Sequence, residues 1–456
     1  MFWKIKTIHF VGIGGTGMSG IAEVLHNMRF KIQGSDISRS PYTQRLESMG
    51  IKIFYEHKSE NVKGADLVVV STAIKENNVE VKEAKRLNIP VIKRGVMLAE
   101  LMRMKYGIAI SGTHGKTTTT AMAASVFNEA GLDPTVIIGG IFQKLNSNAK
   151  LGNSEFLIAE ADESDRSHLN LSPVFAIITN IDLDHLDFYK DIDDIKKTFI
   201  KFANTVPFFG SVILNADDKN CFDIIPYINK RVITFGFSEA SFYRISQVKR
   251  EKDCYKFVVD ENGSNLGEFE IRVPGIFNIL NATSVIALAR EVNIQVDIIK
   301  KGLQTYSGTK RRCEVVGKSD DVTIITDYAH HPVEISKTIE ALKDFYNPHR
   351  MLIVFQPHRY SRTRALFNDF INCFPEYCDV VVLPIYPAGE TPIEGVDSIT
   401  MARELKTRGL NCVYMKGEDD LFDFLKQNLK NYSLIAFLGA GYIDSFARKF
   451  GRDIYD

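Results

Sequence analysis

The stretch Ser111-Gly112-Thr113-His114-Gly115-Lys116-Thr117-Thr118-Thr119-Thr120 follows an apolar run and opens a segment of helical character. A glycine-rich turn between a strand and a helix can close around a polyphosphate, because glycine lacks a Cβ and the first helical amides are free to donate. Lys116 can neutralise that phosphate and Thr117 can hold Mg²⁺. The pattern predicts a nucleoside triphosphate site in an α/β domain. It is a shortened variant of the P-loop motif, because Ile110 occupies the position where that motif usually has its first glycine. The alternative is a glycine- and threonine-rich turn without a ligand.

Length and charge limit the possible functions. A chain of 456 residues predicts about three domains of ~100 to 200 residues. Its 56 basic and 56 acidic residues balance, so no broad positive field favours nucleic acid or an anionic membrane. The six cysteines lack metal spacing and indicate reduced thiols. Without a signal-peptide pattern or an apolar run of membrane-spanning length, we expect a soluble, cytoplasmic protein.

Strand and helix patterns alternate along most of the chain, which predicts parallel sheets covered by helices. The alternation is interrupted between residues 242 and 273, where polar and apolar positions alternate around Glu261-Asn262-Gly263. That pattern is typical of antiparallel hairpins. We predict three α/β domains at residues 1–106, 107–310 and 311–456, the central one carrying a small antiparallel appendage.

A second glycine loop, Gly12-Ile13-Gly14-Gly15-Thr16-Gly17, follows the first predicted strand, and Asp36 ends the second. The glycines admit a pyrophosphate, and the acid can accept a hydrogen bond from a ribose hydroxyl. A nicotinamide dinucleotide and a nucleotide-sugar diphosphate both satisfy these constraints. A strand–helix turn without a ligand is the third interpretation.

Carboxylates follow a predicted strand at Phe156 to Asp165, and Glu160 is the one best fixed by that strand. Oxygen ligands beside a triphosphate suit Mg²⁺. A second polar cluster contains Asp184 and His185, the latter a candidate metal ligand or phosphate contact. A solvated acidic turn and a helix-capping pair are the respective alternatives.

Further along, Asn278 and Asn281 lie one helical turn apart and could bind an adenine edge or cap a helix. Arg312, at the predicted domain joint, could reach a transferring phosphoryl group or belong to a basic hinge. Two His-rich strand ends follow, at residues 327–334 and 356–364. Their arginines could clamp a carboxylate or phosphates, or form a basic helix N-terminus on the surface. A zinc site at His330-His331-Pro332 lacks a third ligand at metal spacing.

Taken together, these motifs resemble those of the ATP-dependent Mur ligases of peptidoglycan synthesis, and they occur in order along the whole chain. The matching stretches are Gly12 to Gly20, Gly112 to Thr118, Glu160 to Asp165, Asp184-His185, Asn278 to Asn281, Arg311-Arg312, Asp327 to Pro332 and Gln356 to Thr363.

The resemblance implies three Rossmann-like or P-loop domains that hold a UDP-sugar, ATP and an amino acid, in that order. It implies that ATP activates the carboxylate of UDP-N-acetylmuramate for attachment of L-alanine, with Mg²⁺ as cofactor, two ions being expected, in a monomer or homodimer. A preformed tripeptide in place of L-alanine is the nearest alternative. An NAD-dependent dehydrogenase would leave the P-loop unused, and a non-catalytic nucleotide switch would leave the third domain's cluster unused.

By the same resemblance, each motif residue takes a role. Lys116, Arg312, His330 and His358 are the implied catalytic residues. The implied ATP-binding residues are Gly112, Thr113, His114, Gly115, Lys116, Thr117, Thr118, Asn278, Asn281, Arg312 and Asp327. The implied substrate-binding residues are Gly14, Gly15, Thr16, Gly17, Asp36, Ser71, Tyr328, His358, Arg359 and Arg362. The implied metal ligands are Thr117, Glu160 and His185.

Two positions depart from the family pattern. Phe277 stands where a histidine usually precedes the Asn-x-x-Asn motif, and Tyr442 stands where an aspartate usually follows Gly-Ala-Gly. Neither change touches the groups that are expected to move phosphate.

Overall fold

Parallel β-sheets flanked by helices form the framework of the protein. The computed structural model describes residues 4–142, 147–184, 188–319 and 321–453. Within these residues the strands form sheets of five, ten and six strands, in the orders β3-β2-β1-β4-β5, β15-β14-β13-β12-β11-β10-β6-β9-β7-β8 and β16-β17-β21-β18-β19-β20. The strands are β1 (Thr7–Val11), β2 (Lys31–Ser35), β3 (Lys52–Phe54), β4 (Leu67–Val70), β5 (Val91–Lys93), β6 (Tyr106–Ser111), β7 (Thr135–Phe142), β8 (Ser147–Lys150), β9 (Phe156–Glu160), β10 (Phe175–Ile178), β11 (Ser211–Asn215), β12 (Arg231–Gly236), β13 (Tyr243–Glu251), β14 (Cys254–Glu261), β15 (Ser264–Ile271), β16 (Glu314–Lys318), β17 (Thr323–Asp327), β18 (Met351–Phe355), β19 (Cys378–Val382), β20 (Cys412–Tyr414) and β21 (Leu434–Leu438).

Helices follow most of the strands, as a right-handed β–α–β chain path requires. They are α1 (Thr16–Asn27), α2 (Pro41–Ser48), α3 (Val79–Arg86), α4 (Arg94–Met102), α5 (Lys116–Glu129), α6 (Ile192–Ala203), α7 (Lys219–Ile224), α8 (Ile276–Glu291), α9 (Val296–Gln304), α10 (Pro332–Tyr346), α11 (Tyr360–Ala365), α12 (Phe367–Asn372), α13 (Ser398–Thr407), α14 (Glu418–Asn428) and α15 (Ile443–Asp453). The predicted α/β class is confirmed. Among the described helices, none combines the length and apolarity needed to cross a bilayer.

The predicted parallel pairing is present in the three sheets. Strand β1 pairs in parallel with β2 and β4, β6 with β9 and β10, and β21 with β17 and β18. Parallel strands buried on both faces lack an alternating pattern. Strand β21, for example, is buried at every position. The carboxyl ends of these strands, where α/β proteins bind ligands, therefore carry the candidate site residues.

Two antiparallel strand pairs escaped the sequence analysis. Strand β7 pairs with β8 and β16 pairs with β17. The sequence of β8, Ser-Asn-Ala-Lys, has no strand pattern, but Asn148 donates to the carbonyl of Thr16 (2.6 Å) and to the Ser19 hydroxyl (3.0 Å) on α1. Contacts with a helix more than 120 residues away hold β8 in place, and local propensity cannot report such contacts.

The described residues group into two compact units. One comprises residues 1–249, 256–271 and 277–307, and the other comprises residues 250–255, 272–276 and 308–456. In the first unit a single apolar cluster joins Ile8 and Phe10 of β1 to Phe199 and Phe202 of α6. The first two predicted domains therefore share a core.

A buried carboxylate organises the strand end before Asp36. Glu80 is fully buried and accepts hydrogen bonds from the Ser35 hydroxyl (2.6 Å) and the Asn61 amide (2.6 Å). The His57 ring lies 3.0 Å away and the His9 ring 3.6 Å away. Burial alone would raise the pKa of Glu80, but His9, Ser35 and Asn61 outweigh it and lower that pKa to about 2.

This network makes stability depend on pH. A carboxyl whose pKa is lower in the folded state stabilises the protein above its unfolded pKa, and that stabilisation is lost as the pH falls. For Glu80 the loss runs from about pH 4.5 down to about pH 2. We expect Glu80→Gln to lower the free energy of unfolding at pH 7 by about 2 kcal/mol.

Urea unfolding at pH 7 and at pH 4 measures both effects. The Glu80→Gln protein should lose less stability between the two pH values than the wild type. The matched control is Glu83→Gln on the same helix, which removes an exposed ion pair with Arg86 and should change stability by less than ~0.5 kcal/mol. Equal pH slopes in the wild type and in Glu80→Gln would contradict the assignment.

Candidate active site

The P-loop lies between β6 and α5 and depends on two glycine conformations. Gly112 has φ +133° and Gly115 has φ +85°, a region that side chains with a Cβ rarely adopt. A Cβ on Gly115 would lie 2.8 Å from the Oδ1 atom of Asn281. Helix α5 begins at Lys116, and the first amides of a helix are the ones that can donate to an anion.

Lys116 is the partly buried cation of this loop. Its Nζ atom lies 2.8 Å from Oε1 of Glu163 and donates to the carbonyls of Gly112 (2.5 Å) and Thr113 (3.1 Å). Burial alone would lower the pKa of Lys116, but the carboxylates of Glu163 and Asp162 outweigh it and the pKa is raised. The ammonium group therefore stays charged at neutral pH.

The two residues that follow β10 hold the backbone of the loop through hydrogen bonds. The carbonyl of Asn180 accepts from the Thr113 amide (3.1 Å), and its side-chain oxygen accepts from the His114 amide (2.9 Å). The Thr179 hydroxyl donates to the His114 carbonyl (2.6 Å). No role was predicted for these two residues from the sequence, because their partners are more than 60 residues away.

Oxygen ligands suitable for Mg²⁺ stand on the same edge of the sheet. Glu160 ends β9, which pairs with β6 so that Glu160 lies opposite Ile110, and its Oε1 atom accepts from the Gly139 amide (2.7 Å). The Thr117 side chain is in the first turn of α5. A carboxylate and a hydroxyl fit a hard cation. His185, the other predicted ligand, lies outside the described residues.

The two predicted amides meet on α8. Asn281 donates from its side chain to the side-chain oxygen of Asn278 (3.0 Å), and both are buried. Asn281 also lies against Gly115, which places this pair beside the P-loop. Phe277 precedes them and is partly exposed. The predicted common helix face is present, and it lies beside the P-loop.

The N-terminal glycine loop closes on Asp36. The Gly14 amide donates to Oδ2 of Asp36 (2.8 Å), and a Cβ on Gly14 would lie 2.8 Å from that same oxygen. Ser71 lies against Gly12, at 3.1 Å from the position of a Cβ there. The structure therefore brings Gly14, Asp36 and Ser71 together, and Asp36 holds the loop with one carboxylate oxygen.

In the second unit, strand ends β17 and β18 flank β21 and carry the other predicted residues. The Asp327 carboxylate accepts from the amides of Cys313 (2.7 Å) and Ala329 (2.7 Å). Burial raises its pKa, and the nearby Arg312 guanidinium offsets only part of that effect. The Arg312 guanidinium carbon also lies 5.4 Å from the centre of the Tyr328 ring.

A histidine pair connects the two strand ends. The rings of His330 and His358 are 5.8 Å apart between centroids, and Nη1 of Arg362 lies 3.1 Å from Nδ1 of His358. Burial, then His330 and Arg362, lower the pKa of His358 to about 3. Burial likewise lowers the pKa of His330, against the opposing effect of Glu334. Both rings are therefore neutral at pH 7 and can accept a proton or a hydrogen bond.

Other contacts around these strand ends were not predicted from the sequence. The Tyr386 ring lies parallel to His358, at 5.5 Å and 15°, and its carbonyl accepts from the Arg359 amide (2.8 Å). Arg311 donates to the carbonyls of Gly439 (2.7 Å) and Gly441 (3.2 Å). Only the fold brings these segments together, so no local motif could reveal them.

We expect the His358 ring to stay neutral from pH 8 down to about pH 4. Protonating it would place a second cation beside Arg362 in a buried site, which is unfavourable. Spectra of protein with ¹⁵N-labelled histidine, assigned with His358→Gln, measure the protonation state. Resonances that titrate near pH 6.5 would contradict the assignment.

Comparison with known proteins places all three parts of the chain in one family. The models of the Mur ligase catalytic domain, middle domain and glutamate ligase domain match residues 7–106, 110–289 and 311–441. A protein named UDP-N-acetylmuramate–L-alanine ligase from Sulfurihydrogenibium sp. is 48% identical over 440 residues, which is 96% of each chain. Its namesake from Geobacter sulfurreducens is 48% identical over 97% of this chain and 96% of its own.

Solved structures agree with the sequence relatives. The UDP-N-acetylmuramate-alanine ligase MurC of Thermotoga maritima is 28% identical and superposes with a TM-score of 0.85, covering 98% of this chain and 99% of its own. The UDP-N-acetylmuramate:L-alanyl-γ-D-glutamyl-meso-diaminopimelate ligase of Neisseria meningitides is also 28% identical, but it covers 67% of this chain and all of its own with a TM-score of 0.63. With relatives 48% identical along almost its whole length, the chain belongs to the Mur ligase family.

Proposed function

We propose that the protein is an ATP-dependent ligase that joins L-alanine to the carboxylate of UDP-N-acetylmuramate, giving UDP-N-acetylmuramoyl-L-alanine, ADP and phosphate. The observation that carries the proposal is the 48% identity, over 96% of the chain, with a relative named for that reaction. A P-loop with a charged, partly buried lysine supplies the corresponding chemistry.

The P-loop and its neighbours take ATP. Residues Gly112 to Thr118 cradle the phosphates, and Lys116 balances their charge. Asn278 and Asn281, which lie against Gly115, take the nucleotide. Arg312 and Asp327 of the second unit are assigned to the γ-phosphate and to the nucleotide.

Mg²⁺ would be held by Thr117 and Glu160, with His185 as ligand to a second ion. When bound, Mg²⁺ neutralises charge on the phosphate oxygens. The oxygen ligands at the ends of β6 and β9 support this assignment.

The two other substrates occupy the remaining loops. Gly14, Gly15, Thr16 and Gly17 take the pyrophosphate of the UDP-sugar, with Asp36 and Ser71 beside them. L-Alanine and the activated acyl group are taken by the strand ends of the second unit, at Tyr328, His330, His358, Arg359 and Arg362. Arginines there suit the alanine carboxylate.

The chemistry proceeds in two steps. The lactyl carboxylate attacks the γ-phosphate of ATP, forming an acyl phosphate and releasing ADP, while Lys116 and Arg312 stabilise the charge that develops. The alanine amine then attacks the acyl carbon and expels phosphate, which forms the amide. Among the residues at these strand ends, His330 and His358 are the candidates for taking the proton that the amine must lose, and a pKa of about 3 makes His358 a weak base.

The boundaries of 1–106, 107–310 and 311–456 and a monomeric or homodimeric state belong to the same proposal. So does a cytoplasmic location, where ATP and UDP-sugars are at hand, without a nucleic-acid or membrane partner. Ligation of a preformed tripeptide is the weaker alternative, because the relatives that match the full chain at 48% identity carry the alanine-ligase name.

Phosphate release tests the reaction. We expect release from ATP only when UDP-N-acetylmuramate and L-alanine are both present, and replacing L-alanine by the tripeptide should lower the rate at least 100-fold. Release that is equal with the tripeptide would favour the alternative, and release without either co-substrate would argue for a simple ATPase.

Lys116→Met should reduce phosphate release by at least 1,000-fold, because the charge that develops on the transferred phosphoryl group then lacks its nearest cation. The matched control is Lys196→Met, which removes an ion pair with Asp223 on the same unit and should retain near wild-type activity. Normal turnover by Lys116→Met would overturn the assignment of the P-loop.

A further inference from the structure

Arg94, at the first residue of α4, contacts both predicted phosphate regions of the first unit. Its Nη2 atom lies 2.9 Å from Oδ2 of Asp162 and 3.7 Å from Oδ2 of Asp165, in the acidic segment beside the P-loop. Its Nη1 atom lies 2.7 Å from the position that a Cβ on Gly17 would occupy. Gly17 stands in the first turn of α1, directly after the N-terminal glycine loop.

Two glycines make this position possible. A side chain on Gly17 would collide with the Arg94 guanidinium and its Cδ atom, at 2.7 Å and 3.2 Å. A side chain on Gly95 would lie 2.6 Å from the Cβ of Ser167, which follows the acidic segment. The start of α4 is thus packed tightly against both elements, so a shift of either one displaces Arg94.

Arg94 also forms an ion pair with Asp162, a carboxylate that interacts electrostatically with Lys116. Asp162 accepts at Oδ1 from the amide (3.1 Å) and hydroxyl (2.6 Å) of Ser164, and at Oδ2 from Arg94. Without Arg94, the Asp162 carboxylate would attract Lys116 more strongly. Lys116 would then be less available to pair with the triphosphate.

We propose that Arg94 is a positioning residue shared by the two phosphate sites, through which binding of UDP-N-acetylmuramate strengthens binding of ATP. A pyrophosphate in the N-terminal loop fixes the first turn of α1 and the guanidinium packed on it. The guanidinium in turn holds Asp162 away from Lys116. This inference rests on the proposed function, because it takes the two ligands from there.

Calorimetric titration of the full chain with AMP-PNP and Mg²⁺, with and without saturating UDP-N-acetylmuramate, measures the coupling. In the wild type we expect the nucleotide-sugar to tighten AMP-PNP binding about tenfold, within the usual range for coupled sites. In Arg94→Met the ratio should fall to about one. Asp162→Asn added to Arg94→Met should restore much of the AMP-PNP affinity without restoring the ratio.

Arg45→Met is the matched control. Arg45 forms a bidentate pair with Glu23 (2.8 and 2.7 Å), whose carboxylate also accepts from Ser147 of β8 (3.2 Å). The Arg45–Glu23 pair is thus connected to β8 through Glu23 and does not touch the acidic segment. Arg45→Met should keep the tenfold ratio, and equal loss in both variants would show that Arg94 only holds the structure together.

A wild-type ratio of one, or an unchanged ratio in Arg94→Met, would also overturn the inference. If Arg94→Met does not fold, Arg94→Lys keeps the charge but not the planar guanidinium, and its ratio should be intermediate. Failure to bind UDP-N-acetylmuramate at all would instead refute the proposed function. A protein that ligates L-alanine but shows no role for Arg94 in coupling would refute this inference alone.

Discussion

The arrangement of strands around the P-loop keeps one partly buried lysine charged. An ammonium group removed from water is strongly destabilised unless carboxylates stand close to it, and Lys116 has Glu163 at 2.8 Å and Asp162 within electrostatic reach. Those carboxylates follow β9, so β9 must lie next to β6, the strand that leads into the P-loop. The opposite neighbour, β10, supplies Asn180, which fixes the loop backbone. The order β10-β6-β9 is thus the arrangement that both charges and holds the phosphate loop.

In the second unit, the histidines at the strand ends are kept neutral instead of charged. In the proposed reaction its site receives an amine, and the two histidine rings at the strand ends are uncharged at neutral pH. Burial, together with the surrounding arginines, lowers the pKa of His358 to about 3, and burial keeps His330 neutral despite Glu334. Arg311 contributes indirectly by tying the Gly-Ala-Gly turn to Tyr328, whose ring lies 4.7 Å from its guanidinium carbon. One chain therefore holds a permanent cation where phosphate is expected and neutral bases where the amine is expected.

The sequence predicted the features that are encoded locally. Each glycine loop, each strand pattern and each polar strand end is contained in about ten residues. The structure has these elements where they were predicted. The roles of Asn180, Tyr386 and Arg94 were not predictable, because each acts on a segment that is distant in sequence. Strand β8 was missed for the same reason, since α1 holds it in place. The roles assigned to the site residues, and the domain boundaries, stay predictions.

The glycines show why a motif alone could not decide between a ligand site and an empty turn. Gly115 must lack a Cβ because Asn281 stands 2.8 Å from where it would be, and Gly14 must lack one because of Asp36 at the same distance. Contacts within the protein thus require both glycines before any phosphate is considered. What distinguishes a phosphate site is the charge placed beside the loop. Lys116 is held ionised in a partly buried position, where its ion pair contributes little to stability on its own. An anionic ligand that takes over part of this pairing would account for the placement of the charge.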